Sequence, residues 1–355
     1  MKRFIIKCIF LPLTILYGLI IDFRNWLFDN QLLPSVRPSV YSISIGNLTV
    51  GGTGKTPMVE FLIKRYRSGV YMNNESIATV SRGYGRKTSG FRIATPNDTA
   101  ATIGDEPLQI YRKFGKQIRV CVGERRVEAI RSLLTLHPET TQILLDDAFQ
   151  HRAVRPHLSI LLTDYNRPFY KDYPFPAGRL RERRKGARRA DGVVVTKCPM
   201  NLWETERQRI ETHIRSYTEA DTPIFFAGLQ YGEPLSFASH ESVTGLEKVT
   251  LVSGLANADP LEQYVGQTYG IQRHYRFADH YAYSREDLVL IVNDLPPGSA
   301  ILTTEKDWVK LDALLTESER TTWPLYYLPV SVQFLANQEA EFLSFLHTHR
   351  RLAAT

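Results

Sequence analysis

A glycine-rich loop between a strand pattern and a helix pattern constrains the fold of this chain more than any other feature. Residues 40–45, VYSISI, alternate in polarity and are rich in β-branched side chains, as half-buried strands are. Residues 58–66, MVEFLIKRY, follow a helical pattern, and the loop between the two reads GNLTVGGTGKTP, residues 46–57. A strand, a glycine loop that contains Lys-Thr, and a helix, in that order, predict a P-loop.

The residue types of this loop suit a nucleotide with its Mg²⁺. Glycine lets backbone N–H groups approach phosphate oxygens, Lys55 reaches the β and γ phosphates, and Thr56 can ligate the metal. The start of the helix adds the positive end of its dipole. One position departs from the usual motif, since Thr49 stands where a glycine is expected. The predicted nucleotide-binding residues are Thr49, Val50, Gly51, Gly52, Thr53, Gly54, Lys55 and Thr56.

Further apolar segments repeat the order of strand and helix. Residues 77–80, 118–122 and 143–145 read as strands, and residues 124–136 read as a helix. This alternation predicts an α/β fold with a P-loop NTPase-like, mainly parallel sheet, whose functional loops lie at the carboxyl ends of its strands.

An aspartate pair follows the last of these strands. Asp146 and Asp147 end the segment ILLDD, where a Walker B carboxylate would bind Mg²⁺ directly or through water. A pair that only caps the following turn is the alternative. We expect Mg²⁺ to bridge Thr56 and Asp146 if both loops open at the same edge of the sheet.

Composition narrows the class of protein. The length of 355 residues predicts two domains, and a chain with 43% hydrophobic and 11% aromatic residues is globular rather than disordered. The net charge of +7 biases the protein toward anions without identifying them. Cys8, Cys121 and Cys198 form no C-x-x-C pair, which argues against a disulfide framework or a zinc site and favours a reducing compartment.

An apolar run over residues 4–21 begins the chain. Its length lies at the lower limit for crossing a bilayer, and a cleaved signal peptide or a helix in the protein's own core are alternatives. Lys2, Arg3 and Lys7 would hold the N-terminus inside, so a spanning helix would carry the nucleotide core to the side without ATP. We therefore predict a helix that lies in the inner face of a membrane.

A series of motifs in this chain resembles the tetraacyldisaccharide 4′-kinase family of lipid A biosynthesis. In order they are GNLTVGGTGKTP, SRGYGR, GDEP, DDAFQHR, PAGRLRE, FADHY and TEKDWVKL, between residues 46 and 311. The resemblance implies transfer of the γ-phosphate of ATP to the 4′-hydroxyl of an acylated glucosamine disaccharide 1-phosphate, which gives lipid IVA. It also implies the cofactors ATP and Mg²⁺, a variant P-loop that accommodates Thr49, and a location at the cytoplasmic face of a Gram-negative inner membrane.

The resemblance assigns roles to single residues. It makes Asp105 in GDEP the catalytic carboxylate, His280 in FADHY its partner, and Lys55 the catalytic P-loop lysine. The implied metal ligands are Thr56, Asp146, Asp147 and Glu182. Arg126 and Arg181 match positions for phosphate or metal handling, and the substrate or phosphate set is completed by Arg82 and Tyr84 in SRGYGR, where Arg86 is a further candidate. Family members commonly read LREP where this chain continues LRERRKGARR, so Glu182 rests on the resemblance alone.

Without the resemblance, two of these residues have simpler interpretations. Asp105 reads as a helix N-cap, because Glu106 and Pro107 follow in first-turn positions. The two roles of Asp105 are compatible. A lone histidine among aromatic residues, as His280 is, is more often packed or exposed than catalytic.

A basic run over residues 179–189 carries much of the positive charge and contains no aromatic residue. Nucleic-acid binders often interleave basic and stacking side chains, so the run favours contact with phosphorylated headgroups on an anionic membrane surface. A solvated basic loop is the alternative. We predict neither a nucleic-acid partner nor an obligate protein partner.

The predicted organisation has four parts. Residues 1–33 form the membrane-associating helix, 34–222 the P-loop core, 223–325 a second, smaller α/β domain that closes on the site, and 326–355 a strand and helix that pack back on the core. The alternative function is a membrane-bound P-loop regulatory or positioning ATPase, although such proteins would carry lysine where this chain has Val50.

Overall fold

The structure, a computed structural model, describes residues 2–69 and 76–354. This part of the chain forms a long N-terminal helix and two sheets with helices around them. Side chains are described for residues 10–69 and 76–353, so the predictions on Lys2, Arg3, Lys7 and the thiol of Cys8 lie outside them. Within the described part, Cys121 and Cys198 are free and buried.

The strands are β1 (Tyr41–Asn47), β2 (Ile77–Ser81), β3 (Arg92–Ile93), β4 (Arg119–Val122), β5 (Gln142–Asp146), β6 (Leu158–Asp164), β7 (Gly192–Thr196), β8 (Ile224–Tyr231), β9 (Leu235–Ser236), β10 (Lys248–Ser253), β11 (Gly270–Arg276), β12 (Ala300–Thr304), β13 (Leu325–Leu328) and β14 (Val330–Phe334). The α-helices are α1 (Lys2–Asp29), α2 (Lys55–Arg67), α3 (Ala100–Ile103), α4 (Asp105–Phe114), α5 (Arg126–Leu136), α6 (Glu204–Arg215), α7 (Asp259–Thr268), α8 (Arg285–Asn293), α9 (Glu305–Leu311), α10 (Glu317–Thr322) and α11 (Gln338–Ala354). Short 3₁₀ turns cover Phe169–Lys171, Arg184–Arg189 and Asp312–Leu314.

The larger sheet carries the P-loop. Its strand order is β14-β8-β7-β6-β1-β5-β2-β4-β3, parallel except for β3 and β14 at its two edges. Every residue of β1 is buried, as expected of a strand covered on both faces. The sequence prediction of a mainly parallel α/β sheet is confirmed, although it did not include β6, which lies directly beside β1.

The smaller sheet has the order β11-β10-β12-β13-β9 and is parallel except for β9. The predicted domain boundary at residue 223 is wrong, because β8 pairs with β7 in the larger sheet. The boundary falls between Tyr231 and Leu235. The chain leaves the larger sheet through β8 and returns through its antiparallel partner β14, and α11 then buries Phe342 and Leu346 in the core of the larger domain.

Helices α4 and α9 pack against each other and join the two domains. Leu108 of α4 lies in the apolar core of the smaller domain. The amine of Lys113 on α4 binds Glu60 of α2 and Glu305 of α9, and Gln109 donates to the same Glu60 carboxylate at 2.8 Å. Glu60 and Glu305 are buried, so this charged cluster fixes the position of α4 between the P-loop helix and the smaller domain.

Helix α1 binds the larger domain through one face and exposes an apolar face on the other. Leu16, Ile20 and Phe23 are each more than half exposed. On the bound face, Tyr17 donates to the Arg181 carbonyl at 2.8 Å, and Asp22 binds Arg183 and Lys185 at 3.0 Å each. The alternative of a helix in the protein's own core is therefore wrong. Among the described residues, the segment Phe10–Asp29 has the length and composition to cross a membrane, with a mean hydropathy of 1.2.

The basic run over residues 179–189 is mostly engaged within the protein. Besides the two contacts to Asp22, Arg184 donates to the Asp172 carbonyl, Arg189 binds Glu182, and Arg181 binds Asp147. Contact of the run with lipid headgroups stays a prediction, although five of its seven basic side chains have partners within the protein. Sequence could not show this, because their acceptors are distant along the chain.

Candidate active site

The P-loop connects the end of β1 to the start of α2 and is held from inside the protein. Gly51 and Gly54 have φ angles of 115° and 79°, a region that favours glycine. The Asn47 amide donates to the Thr53 hydroxyl at 2.8 Å, and the Thr196 hydroxyl donates to the Thr53 carbonyl at 2.9 Å. These contacts fix the loop conformation within the chain itself.

A short segment beside the P-loop forms its outer wall. The N–H of Val50 donates to the Arg179 carbonyl at 2.8 Å, and the N–H of Arg181 donates to the Leu48 carbonyl at 2.7 Å. Thr49 and Leu180 therefore pair in antiparallel fashion. This pairing directs the Arg181 side chain toward the aspartates at the end of β5, a placement that sequence reasoning did not predict.

The aspartate pair and the P-loop lie at the same edge of the sheet. Strands β1 and β5 are parallel neighbours, with Ile45 opposite Asp146. Lys55 Nζ lies 3.6 Å from Asp147 Oδ1, and Arg181 Nη1 lies 2.7 Å from the same oxygen. Although burial acts in the opposite direction, Lys55 and Arg181 hold the pKa of Asp147 below its ordinary value. Asp147 is therefore ionised and bound to two cations.

Asp146 has a different environment. It is buried, and among the described residues none donates a hydrogen bond to its Oδ1. Burial and the nearby charge of Glu106 raise the pKa of its carboxyl. An unpaired buried carboxylate oxygen beside a phosphate-binding loop is a position that a cation would satisfy.

These residues fit a Mg²⁺ ion that arrives with a nucleotide. Within the described side chains, no three His, Cys, Asp or Glu groups converge as a metal site of their own. Mg²⁺ in nucleotide sites commonly takes one or two carboxylates and fills its shell with phosphate oxygens and water. Thr56, Asp146 and Asp147 can supply that small protein share.

Glu182 and Arg126, which were also predicted as site residues, form hydrogen bonds within the protein. The Glu182 carboxylate accepts from Asn25 at 3.1 Å, Gln150 at 3.0 Å and Arg189 at 2.8 Å, so its oxygens are occupied by donors and not directed to a metal. The structure thus does not support Glu182 as a metal ligand. Arg126 is buried and donates to the Gly123 carbonyl at 2.7 Å, and burial lowers its pKa to about 10 despite the opposing charges of the two aspartates.

Asp105 and His280 meet across the two domains. Asp105 begins α4, and His280 follows β11 of the smaller sheet. His280 Nδ1 lies 3.1 Å from Asp105 Oδ2. The expectation that Asp105 caps α4 is wrong by one residue, because Gly104 occupies the cap. The carboxylate is therefore available to the imidazole.

Gly104 places Asp105 against the SRGYGR loop. Its φ angle is 94°, and a Cβ at this position would lie 2.9 Å from the Tyr84 carbonyl oxygen. The exposed ring of Tyr84 lies 5.6 Å from the His280 ring. Arg82 is exposed, whereas Arg86 binds Glu124 and the Gly90 carbonyl, so Arg86 is not available as the predicted phosphate anchor.

Sequence reasoning missed three charged groups around the Asp105–His280 pair. Lys306 Nζ lies 2.7 Å from Asp279 Oδ1 and 3.3 Å from His280 Nε2. Lys310 Nζ lies 4.0 Å from Asp105 Oδ2. All three lie inside the FADHY and TEKDWVKL motifs, which was a signal, but no role had been attached to these three residues.

The two halves of the site suit complementary chemistry. The P-loop, Lys55 and the aspartate pair can bind nucleotide phosphates with Mg²⁺, and the Asp105–His280 pair can accept a proton. Helix α4 joins them, since Asp105 belongs to the proton-accepting pair and the charge of the adjacent Glu106 acts on Asp146. A group transfer from the nucleotide to a hydroxyl needs this combination.

Comparison with known proteins agrees with this chemistry. The family model for tetraacyldisaccharide-1-P 4′-kinase matches residues 6–350. The tetraacyldisaccharide 4′-kinase of Cytophaga hutchinsonii is 39% identical over 338 residues, which cover 94% of this chain and 93% of that protein. The protein of the same name from Parabacteroides distasonis is 40% identical, over 95% and 93% of the two chains.

A solved structure has the same fold. The crystal structure of LpxK from Aquifex aeolicus in complex with ATP superposes with a TM-score of 0.74 at 28% sequence identity, over 96% of this chain and 99% of that one. With the family model and the full-length relatives, this match shows that the chain belongs to the tetraacyldisaccharide-1-P 4′-kinase family.

Proposed function

We propose that this protein transfers the γ-phosphate of ATP to the 4′-hydroxyl of tetraacyldisaccharide 1-phosphate, giving lipid IVA in lipid A biosynthesis. The observation that carries the proposal is the Asp105–His280 contact of 3.1 Å. It lies at the start of α4, the helix that also faces the aspartate pair at the end of β5. The Asp105–His280 pair could also take a proton from water during ATP hydrolysis, so the acceptor is decided by other observations. The full-length relatives are named tetraacyldisaccharide 4′-kinase, and we take the acceptor from that name.

The residues divide the reaction between them. The P-loop N–H groups and Lys55 hold the β and γ phosphates, and Mg²⁺ held by Thr56 and the aspartate pair would neutralise phosphate charge. Asp105 accepts the proton of the 4′-hydroxyl. As it does so, the hydroxyl oxygen bonds to the γ-phosphorus, and the bond between that phosphorus and the leaving ADP breaks. His280 orients the Asp105 carboxylate.

The acceptor's own phosphate needs a cationic contact outside the P-loop. Arg82 is exposed beside Tyr84, whose ring is 70% exposed next to His280. An exposed guanidinium can bind a phosphate through two parallel hydrogen bonds. We assign Arg82 and Tyr84 to the 1-phosphate and the sugar on this basis.

A lipid acceptor also explains the exposed face of α1. We place this face in the cytoplasmic side of the inner membrane, where ATP is available. The polar contacts of Tyr17 and Asp22 keep the opposite face on the protein, so the apolar face is directed outward. A helix of this kind lies in the interface with its apolar face among the acyl chains.

The activity is tested with purified protein, Mg²⁺-ATP and tetraacyldisaccharide 1-phosphate, with products followed by mass spectrometry. We expect the lipid to gain one phosphate as ADP forms. Lipid IVA, whose 4′ position is already phosphorylated, is the matched control and should give no further product. ATP hydrolysis that is unaffected by the acceptor would support the regulatory ATPase instead.

The membrane contact is tested by vesicle flotation of the full-length chain. Leu16→Asp combined with Ile20→Asp should reduce binding to vesicles that contain anionic lipid. Leu290→Asp, at an equally exposed leucine of α8 in the smaller domain, should leave binding unchanged. Equal binding by all three proteins would contradict the assignment of α1.

A further inference from the structure

We propose that Lys306 is a positioning residue for the Asp105–His280 pair: it donates to His280 Nε2 and so fixes the imidazole proton on Nδ1, from where it is donated to Asp105. This inference rests on the proposed function, because it takes Asp105 as the proton acceptor of the kinase reaction. It gives a role to a lysine of the smaller domain whose amine contacts Asp279 and His280.

The His280 ring lies between Asp105 and Lys306. The two ring nitrogens of His280 have different neighbours: Nδ1 lies 3.1 Å from Asp105 Oδ2, and Nε2 lies 3.3 Å from Lys306 Nζ. An ammonium group has three donors and no acceptor, so a hydrogen bond from Lys306 requires an unprotonated Nε2. The proton of the neutral ring is then on Nδ1, where it is donated to Asp105.

Lys306 is itself held in place. Its amine lies 2.7 Å from Asp279 Oδ1, and its side chain is 19% exposed. Although burial acts in the opposite direction, the hydrogen bond and charge of Lys306 hold the pKa of Asp279 below its ordinary value. Asp279 is therefore ionised, and it holds the Lys306 amine beside His280.

The neighbouring Lys310 does not take the same role. Its amine binds Asp307 at 2.9 Å and the Tyr281 carbonyl at 3.0 Å, and it lies 4.0 Å from Asp105. It contributes charge near the carboxylate, not a hydrogen bond to the imidazole. The charged groups around His280 are thus Asp105, Asp279, Lys306 and Lys310. Two of them lie beside Nε2, the Lys306 amine at 3.3 Å and Asp279 Oδ1 at 3.9 Å, and of the two the amine is within hydrogen-bonding distance.

The backbone of His280 shows why outside support is needed. Its φ angle is 58°, in the left-handed region that non-glycine residues seldom adopt. Such a conformation persists when the surrounding contacts hold it. Asp105 on one ring nitrogen and Lys306 on the other supply these contacts from two different helices, α4 and α9.

The decisive measurement is the tautomer of His280 in the wild-type protein, read from the ¹⁵N chemical shifts of its ring. We expect a protonated Nδ1 and an unprotonated Nε2 at neutral pH. A protonated Nε2 would overturn the proposal without any variant. The measurement needs no acceptor lipid, so it stands separately from the test of kinase activity. Failure of that test alone would remove the proposed function and leave the tautomer result intact.

Variants connect the tautomer to the reaction. Lys306→Met should lower kcat about 10-fold with little change in the KM for ATP, and should shift the ring toward protonation at Nε2. Lys306→Arg keeps a donor and should restore part of kcat. Arg276→Met is the control, since it removes a cation that binds Asp259 and Glu262 in the same domain and does not touch the pair.

The outcomes separate positioning from general stability. An unchanged kcat and ring tautomer in Lys306→Met, or an equal loss of kcat in Arg276→Met, would contradict the role. If Lys306→Met does not fold, Asp279→Asn replaces it as the test. This change keeps Lys306 in the sequence but removes the carboxylate that holds its amine. The same direction of change in kcat and in the ring shifts is then expected, at a smaller size, and no change would overturn the proposal.

Discussion

The two halves of the active site are built in different ways. Lys55 begins the helix after β1, and Asp147 directly follows β5, the parallel neighbour of β1 in the same sheet. Their separation of 3.6 Å therefore depends on a single hydrogen-bonded ladder. Asp105 and His280 belong to different domains, and their contact depends on how α4 packs against the smaller domain. The nucleotide half is thus a property of one domain, whereas the proton-accepting half is a property of the packing between two.

This difference separates binding from chemistry. Changes at the domain interface should impair phosphoryl transfer while ATP still binds, and changes in the P-loop should impair both. The charged cluster of Glu60, Lys113 and Glu305 is the exception, because it contacts the P-loop helix and both domains.

The largest effect is expected from Lys55→Met. Removing the positive charge next to the transferred phosphate should lower kcat/KM on the order of 10³-fold, comparable to the loss of a strong transition-state donor. ATP affinity, measured by calorimetry, should fall as well. Lys64→Met, the same change at an exposed position of the same helix, should have no effect. A similar kcat/KM in Lys55→Met and Lys64→Met would remove Lys55 from the mechanism.

Asp105→Asn should lower kcat about 10²-fold, within the range of a lost general base. ATP affinity should stay close to that of the wild type, because the P-loop is built in its own sheet. The double variant Asp105→Asn/His280→Asn should lose little more than Asp105→Asn alone, since the two residues act as a unit. If the loss of kcat in the double variant equals the product of the losses in the two single variants, the residues act independently.

Lys113→Met should reduce the free energy of unfolding by about 3–5 kcal/mol, because it leaves two buried carboxylates without their shared cation. Chemical denaturation measures this, and Lys116→Met, at an exposed position on the same segment, is the control. Where the variant still folds, we expect kcat to fall more than ATP affinity. The reverse order would contradict the comparison between the two halves.

Gly104→Ala should cost about 1–3 kcal/mol from its left-handed backbone. It should also lower kcat, because the new Cβ meets the Tyr84 carbonyl and displaces Asp105. Gly298→Ala has a similar positive φ of 72° with open space around it, so it isolates the backbone cost. Equal kcat in the two variants would argue against close packing of the SRGYGR loop as a determinant of the site.

The smallest effect is expected in the pH dependence of stability. Burial and the charge of Glu305 raise the pKa of Glu60 above its ordinary value, so in this range the folded state binds more protons than the unfolded state. The free energy of unfolding should therefore decrease as pH rises from the ordinary range of a glutamate pKa through the raised value. Glu60→Gln should flatten this slope, whereas Glu317→Gln at an exposed site should not.

How much could be predicted from sequence follows the same division. The P-loop and the aspartate pair were predictable because each is a short motif after a buried strand, and parallel strands bring their carboxyl ends to one edge. The Asp105–His280 contact joins residues 175 positions apart, and no local pattern connects them. The resemblance to a family brought the two together.

The contacts of Glu182 and Lys306 could be predicted neither from local motifs nor from the resemblance to a family. Glu182 was expected near a metal because its neighbours in sequence match a motif, yet its donors come from Asn25, Gln150 and Arg189. Lys306 lies inside the TEKDWVKL motif but received no role, since a lysine after a strand is ordinary on a helix surface. Both cases depend on which distant side chain arrives opposite the residue, and only tertiary packing decides that.

The attachment of α1 has a consequence for how the acceptor reaches ATP. Arg181 accepts from Tyr17 of α1 through its carbonyl and binds Asp147 through its side chain, so one residue separates the helix from the nucleotide site. With the apolar face of α1 in a bilayer, the fold sets the height of the γ-phosphate above the lipid surface. The acceptor then arrives by lateral diffusion in the plane, with its acyl chains still in the bilayer.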